Sequence, residues 1–122
     1  MFTLSHEEFE SVVTEAIESL PEEFKSKLDN VDVVVEEAPS RAILRRFRRR
    51  GLILGLYQGV PKKMRTSRYA LVMPDKISLY KKNIEAICSS REQVYAQIRK
   101  TLLHEIGHHF SLSDPDLRRL GW

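Results

Sequence analysis

One cysteine, Cys88, in 122 residues excludes any internal disulfide and points to a reducing, cytoplasmic setting. Long apolar runs are missing too. The longest spans seven residues, Gly51 to Tyr57, far short of the roughly 20 that a membrane-spanning helix requires. No basic cluster precedes an apolar stretch at the start, where Glu7, Glu8 and Glu10 stand instead, so a secretion signal is not expected. There is no internal repeat, low-complexity tract or linker, and the length supports one core and one domain, residues 1–122.

What is present is unevenly charged. Residues 1–40 hold 11 acids and 2 bases, whereas residues 41–122 hold 6 acids and 18 bases. Six of those bases, Arg41, Arg45, Arg46, Arg48, Arg49 and Arg50, fall within ten positions. Such a run is a candidate nucleic-acid contact through phosphates. No nucleic-acid motif accompanies it, so the favoured reading is a solvated loop between two strands.

Local patterns give an order of elements. Ser5 and Glu8 form a capping box, Leu4 and Phe9 a hydrophobic staple, and Phe9, Val12, Val13, Ala16, Ile17 and Leu20 recur at helical spacing. Pro21 opens a second short helical piece carrying Phe24 and Leu28. Val31 to Glu36 reads as a strand, as does Gly51 to Gly59 with Leu52, Leu54 and Leu56 on one face; Tyr69 to Met73 is a third candidate. Lys76 to Lys81 alternates Ile77 and Leu79 against Ser78 and Tyr80, the pattern of a strand with one face in solvent. A short helical stretch, Asn83 to Cys88, follows. Ser89 and Glu92 then form a capping box for a long helix from about Ser90 to Phe110, with Val94, Ile98, Leu102, Ile106 and Phe110 every four residues. Asp114 and Pro115 open a closing turn. The whole reads as an α+β fold, a small mixed sheet packed against the N-terminal helix and the long C-terminal one.

Three of the four histidines lie inside that long helix, in HEIGHHF from His104 to Phe110. At about 100° per residue, His104 and His108 stack one turn apart and can offer two imidazole nitrogens to one metal ion. Glu105 is placed to take a proton from a metal-activated water rather than to bind the ion. Relative to Ile98, Leu102 and Ile106, the pair points roughly 140° away, on a polar strip with Gln97, Lys100 and Thr101. His109 falls within the apolar stripe and reads as a buried packing residue.

Tetrahedral zinc needs a third protein ligand. Asp114, ten residues after His104, occupies the place of the last histidine in HExxHxxGxxH proteases, with Asp116 in reserve. Asp114 also suits a helix N-cap, and its two oxygens allow both roles. Ser111 stands at the glycine position of that pattern, and Met1, Met64 and Met73 all precede the motif, so no methionine turn follows it.

The chain resembles the small bacterial zincin-like proteins described as predicted zinc metallopeptidases with a minimal, matrix-metalloprotease-like domain. The stretches that carry the resemblance are VDVVVEE, LGLYQGVP, PDKISLYKKNIEAIC and REQVYAQIRKTLLHEIGHHFSLSD, leading to LGW. It implies a compact zincin-like fold, zinc held by His104, His108 and Asp114, and Glu105 as catalytic carboxylate. A peptide or protein substrate is expected, added as a strand beside an exposed sheet edge at Ile77 to Lys81. Tyr57, Tyr69 and Tyr80 are candidate donors to an oxyanion. The rival readings are a metal-dependent RNA hydrolase using the arginine run and a non-catalytic zinc-stabilised binding module.

Overall fold

A computed structural model of the protein describes residues 2–47, 52–59 and 75–109. Helix α1 (His6–Glu18) begins where the capping box places it: the Ser5 hydroxyl accepts from the Glu8 N–H at 3.1 Å, and the Glu8 carboxylate accepts from the Ser5 N–H at 3.1 Å. Leu4, Phe9, Val12, Val13 and Ala16 are buried beneath it. Pro21 leads into α2 (Glu22–Lys25) and a 3-10 turn, Ser26–Leu28, which return the chain to strand β1 (Val31–Glu36).

Among the described residues three strands form one sheet, in the order β1-β3-β2. Here β2 is Gly55–Gln58 and β3 is Asp75–Tyr80; β3 runs parallel to β1 and antiparallel to β2. The sheet is therefore mixed, and its central strand is the one expected at an edge. Ile77 and Leu79 join Val31, Val33, Val35 and Tyr57 in facing the main core. Ser78 and Tyr80 were expected in solvent, yet they are 0% and 1% exposed. The cause is a second, small cluster of Ile53, Leu56 and Tyr80, with Ile43 and Phe47 packed against it on the opposite face.

Those two residues also correct the arginine run, whose first part is not a loop. Helix α3 (Arg41–Arg46) is capped by the Ser40 hydroxyl, which accepts from the Ile43 N–H at 3.2 Å. Ile43 and Phe47 lie one turn apart and dock on the sheet, leaving Arg41, Arg45 and Arg46 exposed. The strand expected over Gly51 to Gly59 is confined to Gly55–Gln58. Leu54 still accepts from the Tyr80 N–H at 2.9 Å, but β3 ends there, so Ile53 has no strand opposite it and its carbonyl instead takes the Asn83 side-chain amide at 2.8 Å. Leu52, Leu54 and Leu56 do not share a face: Leu56 joins the small cluster, Leu54 packs on the main core, and Leu52 is exposed. The strand expected over Tyr69 to Met73 lies outside the described residues.

Helix α4 (Lys81–Ala86) starts directly from β3, two residues earlier than expected. Its Lys81 and Glu85 form a buried ion pair at 3.0 Å, and Glu85 also accepts the Leu4 N–H at 2.9 Å. Helix α5 (Arg91–His109) is capped by Ser90 rather than Ser89: the Ser90 hydroxyl accepts from the Gln93 N–H at 3.1 Å, and the Gln93 side chain accepts from the Ser89 N–H at 2.6 Å. Val94, Ile98, Leu102 and Ile106 are fully buried against α1 and the sheet, each contributing about 1.5–3 kcal/mol. Outside that core, Arg91 pairs with Glu15 and Arg99 donates to the Ser19 hydroxyl at 3.1 Å, fixing α5 along α1. No helix among the described residues is long and apolar enough to cross a membrane.

Candidate metal centre

Burying one stripe of α5 turns the polar strip outward, under strand β2. Gln97, Lys100, Thr101, His104, Glu105 and His108 form one wall of a cleft of about 400 Å³; Leu52, Leu54 and Gly55 form the other. Strand and helix are in close contact at Gly55, where a Cβ would stand 2.7 Å from the Thr101 methyl and 3.1 Å from the Ser78 carbonyl oxygen. Glycine is what lets β2 lie this low over α5.

The His104 and His108 rings stand 5.9 Å apart, centre to centre, tilted by 47°. Zn–N distances of about 2.0–2.1 Å place two imidazoles on one ion at ring separations of about 5–6 Å, so the pair is close to that spacing. His104 Nε2 is buried and has no hydrogen-bond partner among the described residues. An orphaned buried nitrogen costs about 1–3 kcal/mol, and a ligand atom is the kind of group that carries such a cost. The pair therefore supplies two donors of the kind zinc takes. Among the described residues no group of three His, Cys, Asp or Glu side chains is arranged so that it could hold a metal ion. Asp114 and the reserve Asp116 lie outside the described residues, as does Ser111.

Glu105 is held by the strand above it. Within the antiparallel ladder Leu54, Leu56 and Gln58 face β3, so the Tyr57 N–H points outward, and it donates to Glu105 Oε1 at 2.8 Å. Tyr57 is also the centre of a second cluster that sequence reasoning missed. Its hydroxyl donates to Asp75 Oδ2 at 2.8 Å, and its ring stacks on His109 with centroids 3.7 Å apart. His109 Nε2 is 4.0 Å from the same Asp75 oxygen. Tyr57, Glu105, His108 and His109 line a hollow of about 440 Å³ beside the cleft.

His109 is thus not a buried packing residue. Its helical angle points to the core, but it sits at the last turn of α5, where it meets the ring of Tyr57 instead of the apolar layer, and its side chain is 39% exposed. Tyr57 has its hydroxyl committed to Asp75. Tyr80 belongs to the small cluster, where burial and then the Glu36 charge push its hydroxyl pKa up. Tyr69 lies outside the described residues. The signal for Asp75 was weak: only the sheet register, pairing Gln58 with Lys76, brings it to Tyr57.

A family model described as zincin-like metallopeptidase matches residues 28–122. Among solved structures, the chain is similar to a conserved hypothetical protein from Thermo thermophilus, at 26% identity and a TM-score of 0.56, over 87% of this chain and 94% of that one. No curated protein matches.

Proposed function

Because the chain belongs to the zincin-like metallopeptidase family, we propose that it is a zinc-dependent peptidase that hydrolyses peptide bonds. The observation that carries this reading is the pair His104 and His108 on one helix face, with an unpartnered buried Nε2, beside Glu105. His104, His108 and Asp114 are the residues we assign to hold the metal. Zinc in such a site supplies Lewis acidity, polarising a carbonyl oxygen and lowering the pKa of water. Glu105 takes the proton from the attacking water and returns it to the departing amine. The Tyr57 N–H holds one carboxylate oxygen in place during both transfers, since a hydrogen bond to an ionised acceptor is among the stronger kinds.

An extended substrate needs an open strand edge. Ile77 to Lys81 is not one, since β3 is central; among the described strands the edge over the histidines is β2, where the backbone groups of Gly55 point away from β3 and the Tyr57 N–H is taken by Glu105. The single cysteine supports a cytoplasmic setting.

Two measurements test the proposal. Metal analysis is expected to find about one zinc per chain, lost in His104→Ala, His108→Ala and Asp114→Ala; full occupancy in Asp114→Ala would reject that ligand. A peptide-library digest should show cleavage by the wild type that Glu105→Gln abolishes. Zinc binding without any cleavage would instead identify a metal-stabilised binding module.

A further inference from the structure

The cleft differs at its two ends. Toward Tyr57 it meets the aromatic hollow; toward Gly55 its walls are Leu52 and Leu54 facing Lys100. Lys100 is exposed and, among the described residues, has no carboxylate partner. Its neighbours Gln97 and Thr101 satisfy one another, the Gln97 amide donating to the Thr101 hydroxyl at 3.1 Å. The ammonium is the one cation among the described lining residues at this end, and Glu85, on the helix before α5, is taken by Lys81 and the Leu4 N–H. Past Lys100 the groove continues into a hollow of about 260 Å³ with Ile87, Cys88 and Ala96 in its walls. Lys100 therefore stands between two partly apolar depressions.

Resting on the peptidase reading, we propose that Lys100 is a specificity-determining residue and that the Gly55 end of the cleft receives an acidic side chain, glutamate or aspartate, of an extended peptide. Leu52 and Leu54 cover the methylenes while the ammonium meets the carboxylate. The spacing agrees. Lys100 lies one turn before His104, about 6 Å along the helix axis, and same-side residues of an extended chain repeat at about 6.8 Å. The acidic residue thus falls within two positions of the bond cleaved.

The test reads affinity rather than turnover. Short peptide hydroxamates differing only in a glutamate, glutamine or lysine side chain beside the hydroxamate would be competed against a fluorescent hydroxamate on zinc-loaded protein, with zinc content and circular dichroism measured for each variant. Glutamate is expected to bind about 1.4- to fivefold more tightly than glutamine, the range for an exposed ion pair, and the margin should shrink with salt. Lys100→Met should abolish the preference and Lys100→Glu should reverse it toward lysine. Equal binding of glutamate and glutamine, or a preference that survives in zinc-replete Lys100→Met, overturns the inference. Failure of the peptidase reading looks different: hydroxamates bind with the expected order, yet no peptide is cut. A zinc-loaded protein that binds none of the series refutes both.

Discussion

Replacing His104 by leucine should raise the stability of the metal-free protein and remove the stability that zinc confers. In the metal-free state the buried Nε2 has no hydrogen-bond partner among the described residues, a condition that costs about 1–3 kcal/mol. Leucine has similar bulk and no polar atom to strand, so a net gain of about 1 kcal/mol is expected once imperfect packing against the cleft wall is subtracted. Zinc at a hundred times its dissociation constant should stabilise the wild type by about 2.7 kcal/mol, whereas the variant, short of one ligand, should gain far less. The order of the two proteins therefore inverts between chelator and zinc. Urea unfolding followed by circular dichroism, in excess EDTA and in excess zinc, measures all four states, and equal m-values would confirm that the same transition is compared. The reasoning fails if metal-free His104→Leu is less stable than wild type by about 1 kcal/mol or more, for then the imidazole is satisfied. It fails equally if zinc stabilises both proteins alike.

Lys81→Met leaves the Glu85 carboxylate, 5% exposed, without its cation and is expected to cost about 3–5 kcal/mol in urea unfolding. Adding Glu85→Gln should recover part of that loss, because a carboxamide still accepts the Leu4 N–H and strands no charge. Gly55→Ala forces a methyl against Thr101 and the Ser78 carbonyl; a loss of about 1–3 kcal/mol is expected by thermal unfolding, and an unchanged melting temperature would show that β2 can lift freely. Burial, and secondarily the Glu85 charge, pushes the Cys88 thiol up, so the thiolate forms only at higher pH. Alkylation by iodoacetamide should reach half its maximal rate above the ordinary thiol pKa of about 8.5, and a midpoint at or below that value would contradict the burial.

What could be read from the letters was local. The Ser5–Glu8 capping box involves residues three apart, and both of its hydrogen bonds are present. The apolar stripe of α5 repeats every four residues, so the outward placement of His104 and His108 follows from helix geometry alone. Contacts between distant residues were not visible. Glu105 meets Tyr57 across 48 positions, and the Tyr57 hydroxyl meets Asp75 across 18. The dry second face of β3 is of the same kind: Ile77-Ser78-Leu79-Tyr80 alternates like a strand with one face in solvent, and only the docking of Ile43 and Phe47 shows why that face is covered. In α3 the arginines masked the signal, since the two apolar residues that anchor the helix are separated by three others, two of them arginines. The cap of α5 falls on Ser90, one residue after the expected Ser89, because it is the Ser90 hydroxyl that meets the Gln93 N–H.

The bond between Tyr57 and Glu105 has a practical outcome for laboratory handling. An outward-pointing amide on a strand that no other described strand covers invites another chain to zip onto it, and the Glu105 oxygen occupying that amide acts as a gatekeeper against such self-association. Truncating Glu105 to alanine removes chemistry and gatekeeper together, so aggregates of that variant would be mistaken for inactivity. Glutamine keeps an oxygen for the amide, which makes it the sounder inactive control.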